Sequence, residues 1–138
     1  GFCETDECSI RAVTRLYEQG RITTNYALKN ENGNSYFGRG LVQITWEDNY
    51  RRVGRAIGLG NNLYENPSLA LDLMISVRIL FIGMIDGLFT DHKLVDHITD
   101  HKCDYYTARR IVNGLDRAEL IGTYAEKFEK CLFIAEAK

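Results

Sequence analysis

Gly38 and Gly40 bracket Arg39 in the run Asn34-Ser35-Tyr36-Phe37-Gly38-Arg39-Gly40, and Gln43, Thr45 and Asn49 follow within one further turn of helix. The two glycines permit a close backbone bend that aims the arginine. Gln43 and Thr45 are two residues apart, so in extended chain they point the same way. Thr45 is also a natural helix N-cap. Asn49 then lies one helical turn above it, and Gln43, Thr45 and Asn49 are expected to line one wall. That wall carries amides and a hydroxyl but no formal charge. It suits sugar hydroxyls, an acetamido group or an ordered water.

The elements that must hold this wall are mostly helical. Ile10, Val13, Leu16 and Tyr17 mark one face of a helix from about Cys8 to Gln19, stopped by Gly20. Between Arg21 and Gly40 the periodicity breaks, and Asn32-Gly33 predicts a short hairpin. Trp46, Tyr50, Val53 and Ile57 recur at helical spacing, so the next helix runs from about Thr45 to Ile57. Gly58 to Glu65 reads as a loop, and Asn66-Pro67 opens the following element. Leu73 to Leu88 is apolar on nearly all sides and reads as the central buried helix.

Further along, Lys93 to Thr99 and Asp104 to Asn113 read as helices, the second closed by Gly114. Asp116 and Glu119 have the spacing of a capping box for a last helix. Its apolar face is Leu120, Ile121, Tyr124, Phe128, Cys131 and Leu132. The fold class is therefore mainly α, in one domain, with a long buried helix and one Gly/Asn-rich segment.

Composition narrows the function. The chain is 138 residues, 45% hydrophobic and 26% charged, as in a globular domain rather than a disordered one. Its net charge of −2 offers no global positive field, so no nucleic-acid partner is expected. Arg78 and Asp86 interrupt the most apolar stretch, which argues against a membrane span. Four cysteines admit three full pairings. Free thiols are the plainer reading, with Cys3–Cys8 or Cys103–Cys131 as the bridges to look for. His92, His97, His101 and Cys103 fall close together, but their spacing matches no common structural zinc pattern. Surface histidines are expected there, with no metal and no cofactor.

The combination Tyr36-Phe37-Gly38-Arg39-Gly40, then Gln43-Ile44-Thr45, then Asn49-Tyr50, resembles the signature of family 19 glycoside hydrolases, the plant-type chitinases and related phage endolysins. Arg110-Ile111-Val112-Asn113-Gly114 resembles a second element of that family. The resemblance runs from about Ser9 to Leu132, and the compact frame and Ser76-Val77-Arg78-Ile79-Leu80-Phe81 are most similar to the short phage lysins.

The resemblance implies a lysozyme-like, two-lobed helical domain whose cleft takes a β-1,4-linked amino-sugar polymer, peptidoglycan in the lysins and chitin in the plant relatives. It implies inverting hydrolysis, with two carboxyl groups separated by roughly 6.5–9.5 Å across the scissile bond. Thr45 is expected to position the attacking water. Tyr36, Arg39, Gln43, Asn49, Asn113 and Arg117 are expected at the sugar site, with Arg39 bracing the loop or pairing with a catalytic carboxylate. The family's acid sits in a His-Glu box, and the chain contains no His-Glu pair. Residue 1 is Gly, so the expectation is that both catalytic glutamates lie upstream of it, with Glu4 and Glu7 as the weak local candidates. A monomer is expected, made in a host bacterial cytoplasm and acting on the wall. The competing readings are a glycan-binding or inhibitory relative that lost its acid, and a structural component of a phage or injection apparatus.

Overall fold

The computed structural model describes residues 5–136, so Glu4 and a Cys3–Cys8 bridge lie outside the described residues. The fold is mainly helical: α1 (Asp6–Glu18), α2 (Glu47–Ala56), α3 (Asn62–Glu65), α4 (Leu73–Asp86), α5 (Tyr105–Ala108), α6 (Arg110–Asn113) and α7 (Ala118–Glu136), with a two-stranded hairpin of β1 (Ile98–Thr99) and β2 (Lys102–Cys103). The backbone divides into two compact units, Gly1–Ile82 and Gly83–Lys138.

In the first unit, α1 starts two residues before the sequence expectation because Thr5 caps it. The Thr5 hydroxyl oxygen accepts from the Cys8 N–H at 3.2 Å, and Asp6 and Glu7 occupy the first turn, where the helix dipole favours them. None of the residues of α1 is fully buried.

The hairpin expected at Asn32-Gly33 does not form. The Asn30 side-chain oxygen instead accepts from the N–H groups of Asn32 and Asn34, both at 3.0 Å, and the Gly33 N–H bonds to the Asn30 carbonyl. An asparagine that binds its own neighbours takes the donors a strand ladder would use.

Thr45 is not the N-cap of α2. That place belongs to Trp46, at φ 72°, with no side-chain cap bond, and the helix begins at Glu47. Tyr50, Val53 and Ile57 are buried as their spacing predicts, whereas Trp46, the first residue of that repeat, is exposed. The expected loop before Pro67 contains the single turn of α3, and Pro67 opens a 3-10 turn over Pro67–Leu71. The core of this unit is aromatic. Tyr36 stacks on Tyr64 at 5.4 Å and meets the edge of Tyr50 at 5.2 Å.

Tyr36 and Tyr50 give the unit a pH dependence. Burial raises the pKa of each phenol above its usual 10.0. Above pH 10 the unfolded chain therefore releases protons that the native state retains, so stability falls as pH rises from there. Denaturation followed from pH 8 to 11 is expected to show the midpoint dropping above pH 10. Tyr50→Phe should flatten that drop, and an unchanged profile would refute the assignment.

Three sequence expectations fail for the long helices and the segment between them. The apolar helix α4 is not enclosed, since Met74, Arg78, Phe81 and Ile85 are all exposed along one stripe. Lys93 to Thr99 forms only the 3-10 turn Leu94–Asp96 before entering β1, because the Asp96 carboxylate accepts the Lys93 N–H at 2.8 Å and closes the turn. The Thr99 hydroxyl then accepts from the N–H groups of His101 and Lys102, which turns the chain into β2. The last helix lacks the expected Asp116/Glu119 capping box. Arg117 sits at φ 54°, and the helix starts at Ala118. Ala118 and Gly122 are buried, with Gly122 close to the backbone of Tyr105 and Tyr106, while Leu120, Ile121, Tyr124, Phe128, Cys131 and Leu132 are exposed. Gly114 ends α6 at φ 47°, as expected.

Cys103 and Cys131 are both free thiols, so the second bridge considered is absent. His97 is buried, against the expectation of surface histidines. No helix among the described residues is long and apolar enough to cross a membrane.

Candidate functional site

Between Arg39 and Ile44 the chain makes a closed loop rather than an extended run. The two residues exchange both backbone hydrogen bonds, Arg39 N–H to Ile44 O at 3.3 Å and Ile44 N–H to Arg39 O at 3.0 Å. The Gln43 N–H closes the intervening turn on the Gly40 carbonyl, and Gln43 itself is left-handed at φ 52°. The outside of the loop is tethered by Ser76 of α4, whose hydroxyl oxygen accepts the Leu41 N–H at 2.7 Å.

Arg39 holds the loop from within. Its side chain is 2% exposed, and Nη1 donates to the Ser35 carbonyl at 2.7 Å, to the Phe37 carbonyl at 3.4 Å and to the Tyr50 hydroxyl at 3.2 Å. Nη2 reaches Asp6 Oδ2 at 2.9 Å, and the guanidinium lies 3.7 Å over the Phe37 ring. Tyr50 completes the brace by donating to the Phe37 carbonyl at 3.1 Å. Arg39 therefore both braces the loop and pairs with a carboxylate. That carboxylate is Asp6, not a glutamate, and nothing in the sequence pattern singled it out.

The loop and α1 enclose a groove of about 280 Å³ lined by Ser9, Ala12, Val13, Tyr26, Phe37, Gly38, Gln43 and Thr45. Gln43 and Thr45 thus both line the groove, although the extended backbone expected between them is absent and Asn49 is not among the lining residues. Gly38 makes the arrangement compact, because a Cβ there would stand 3.0 Å from Gln43 Oε1. The Gln43 amide donates to the Gly40 carbonyl at 2.9 Å, which leaves its carbonyl oxygen toward Gly38 and the groove. No lining residue carries a formal charge. Tyr26 adds an aromatic wall backed by Trp46, their ring centres 5.0 Å apart. Tyr26 lies in the stretch without periodicity, so no sequence signal marked it.

The remaining predicted residues distribute as follows. Asn49 sits above Thr45, but its Nδ2 donates to the Thr45 carbonyl at 2.9 Å and it is not among the groove-lining residues. Tyr36 is 3% exposed, with its hydroxyl donating to the Tyr64 carbonyl, and it packs in the core. Glu7 is exposed and lines a separate polar pocket of about 200 Å³ with Asp6, Lys29, Arg39 and Glu65. Asn113 and Arg117 belong to the second unit.

Comparison with known proteins decides what this loop belongs to. The chitinase class I family, glycoside hydrolase family 19, matches residues 8–86, more than half of the chain. This chain is a member of that family. The acidic endochitinase pcht28 of Solanum chilense is 50% identical over 44 residues, 31% of this chain and 17% of that protein. The acidic 26 kDa endochitinase of Solanum lycopersicum is 45% identical over 49 residues, 35% of this chain and 19% of that one. The inactive chitinase-like protein 1 of Hevea brasiliensis is 45% identical over 47 residues, 33% of this chain and 14% of that protein. The chain thus spans less than a fifth of these relatives' length. No solved structure matches it. The family 19 match contains the whole loop and groove and ends at Asp86, so the Arg110 to Gly114 element lies beyond it.

Proposed function

We propose that the chain serves a glycoside hydrolase that cleaves a β-1,4-linked amino-sugar polymer by inversion, with peptidoglycan as the polymer and an endolysin as the setting. The observation that carries this is the uncharged groove lined by both Gln43 and Thr45 within a family 19 match. A hydroxyl and an amide in one uncharged groove supply donors and acceptors to a sugar and to a water without drawing a counter-ion. Tyr26 offers an apolar face to the ring's C–H groups. The peptidoglycan preference rests on the resemblance of Ser76-Val77-Arg78-Ile79-Leu80-Phe81 to short phage lysins; the names of the plant relatives favour chitin as the second polymer. In this reading Thr45 positions the attacking water, Gln43 holds the sugar, and Asn49 fixes the carbonyl behind Thr45. Asn113 and Arg117, in the second unit, are proposed as sugar-binding residues in their own right.

The test is turbidity loss of a peptidoglycan suspension and soluble-sugar release from chitin by the whole protein. Thr45→Ala and Gln43→Ala are each expected to lower kcat/KM by about 10²-fold, as when one positioned donor at a reacting centre is removed. Wild-type rates in both would overturn the assignment. A second reading, a glycan-binding relative without hydrolysis, is favoured by the inactive Hevea relative. Pull-down on insoluble glycan with no release of product would select it.

A further inference from the structure

The histidines near the hairpin separate in the structure, and His97 emerges as the unusual one. It is 6% exposed. Its Nδ1 stands 2.8 Å from the Thr107 hydroxyl, which is itself 2.5 Å from Asp104 Oδ2. Asp104 also receives the Thr107 N–H at 2.9 Å, and these bonds hold its carboxyl below the usual range. An ionised carboxylate only accepts, so the single hydroxyl proton of Thr107 is committed to Asp104. Thr107 must then accept from His97, which puts the imidazole proton on Nδ1. In the neutral imidazole Nε2 is then the lone-pair nitrogen, and it is buried without a hydrogen-bond partner among the described residues.

What stands beside His97 is a second imidazole. The ring of His92 lies 5.5 Å from that of His97, centre to centre, tilted by 45°. Two imidazoles sharing one tetrahedral ion, at bonds of about 2.0–2.1 Å, have ring centres roughly 5 Å apart. We propose that His92 and Nε2 of His97 form a two-imidazole site for a divalent first-row metal ion of the zinc or copper kind. The Thr107–Asp104 pair is the outer shell that fixes the tautomer and orients the ring, as such shells do for ligating histidines. Imidazole suits these ions better than the hard cations. His101 and Cys103 take no part; both are exposed on the hairpin. No group of three or more metal-ligating side chains forms among the described residues, so the other coordination positions belong to water or an external ligand.

The experiment is a Zn²⁺ titration of the full chain carrying Cys103→Ser and Cys131→Ser, read by imidazole nitrogen NMR. Before metal, His97 should show a protonated Nδ1 and a bare Nε2. Millimolar Zn²⁺ should shift His97 Nε2 and one nitrogen of His92 together, with a common saturation curve, and leave His101 unmoved. In a folded His92→Gln variant the His97 response should weaken at least tenfold in apparent affinity. A His97 proton on Nε2, two rings unmoved by Zn²⁺, a response confined to His101, or an unchanged His97 response in His92→Gln would each overturn the proposal.

Discussion

Arg39→Ala is expected to destabilise the chain by about 2–5 kcal/mol, a large fraction of a marginally stable domain's stability. Most of this loss does not come from the Asp6 ion pair. Asp6 is 54% exposed, and exposed partners contribute at most about 1 kcal/mol. The loss comes mainly from the Ser35 carbonyl, which the guanidinium satisfies inside the protein, whereas the Phe37 carbonyl keeps the Tyr50 hydroxyl as its donor. Buried acceptors without donors cost about 1–3 kcal/mol each. The cavity under the Phe37 ring adds to this. Asp6→Asn should therefore cost about 1 kcal/mol or less in the same denaturation experiment. Equal losses from the two variants would show that the ion pair, not the buried brace, holds the loop.

Gly40→Ala should cost about 2–5 kcal/mol. Gly40 is at φ 70°, where any other L-residue loses roughly 1–2 kcal/mol. A Cβ there would also stand 2.5 Å from the Ala70 carbonyl oxygen and 2.6 Å from Ser76 Oγ. Relieving such overlap typically costs a further 1–3 kcal/mol or so. Gly33→Ala is the internal control. Gly33 has φ 78°, but nothing lies within 4 Å of its would-be Cβ. It should show the backbone cost alone. Urea midpoints for the two variants separate conformational strain from crowding, and matching midpoints would remove crowding from the account.

The helices were legible where periodicity and burial coincide. Tyr50, Val53 and Ile57 are spaced for one helical face and are buried on it. The same rule misjudged α7, whose apolar residues are as periodic but stand exposed, and α4, read as buried because it is apolar on nearly all sides, carries an exposed stripe beside its buried Ile79. Sequence spacing records which residues are apolar, not whether another surface covers them. At the groove, Gln43 and Thr45 are both lining residues although the extended geometry expected of them is absent, and Asn49 is not among them. Asp6, Ser76 and Tyr26 were illegible because each meets the loop from a distant part of the chain. Thr45 lost its capping role because Trp46 carries the positive φ on entry to α2, and a tryptophan gives no warning of that.

The two sides of the groove are fastened unequally. The loop is clamped by a buried guanidinium, by the Ser76 hydroxyl and by the crowded seat of Gly40. The helix opposite it has no fully buried residue, and its side-chain ties include the Asp6 pair and an Asn25 amide on the Thr14 hydroxyl at 3.0 Å. The groove thus has one fixed jaw and one yielding jaw. Anything held in the groove would therefore rest against a braced loop on one side and a part-exposed helix on the other.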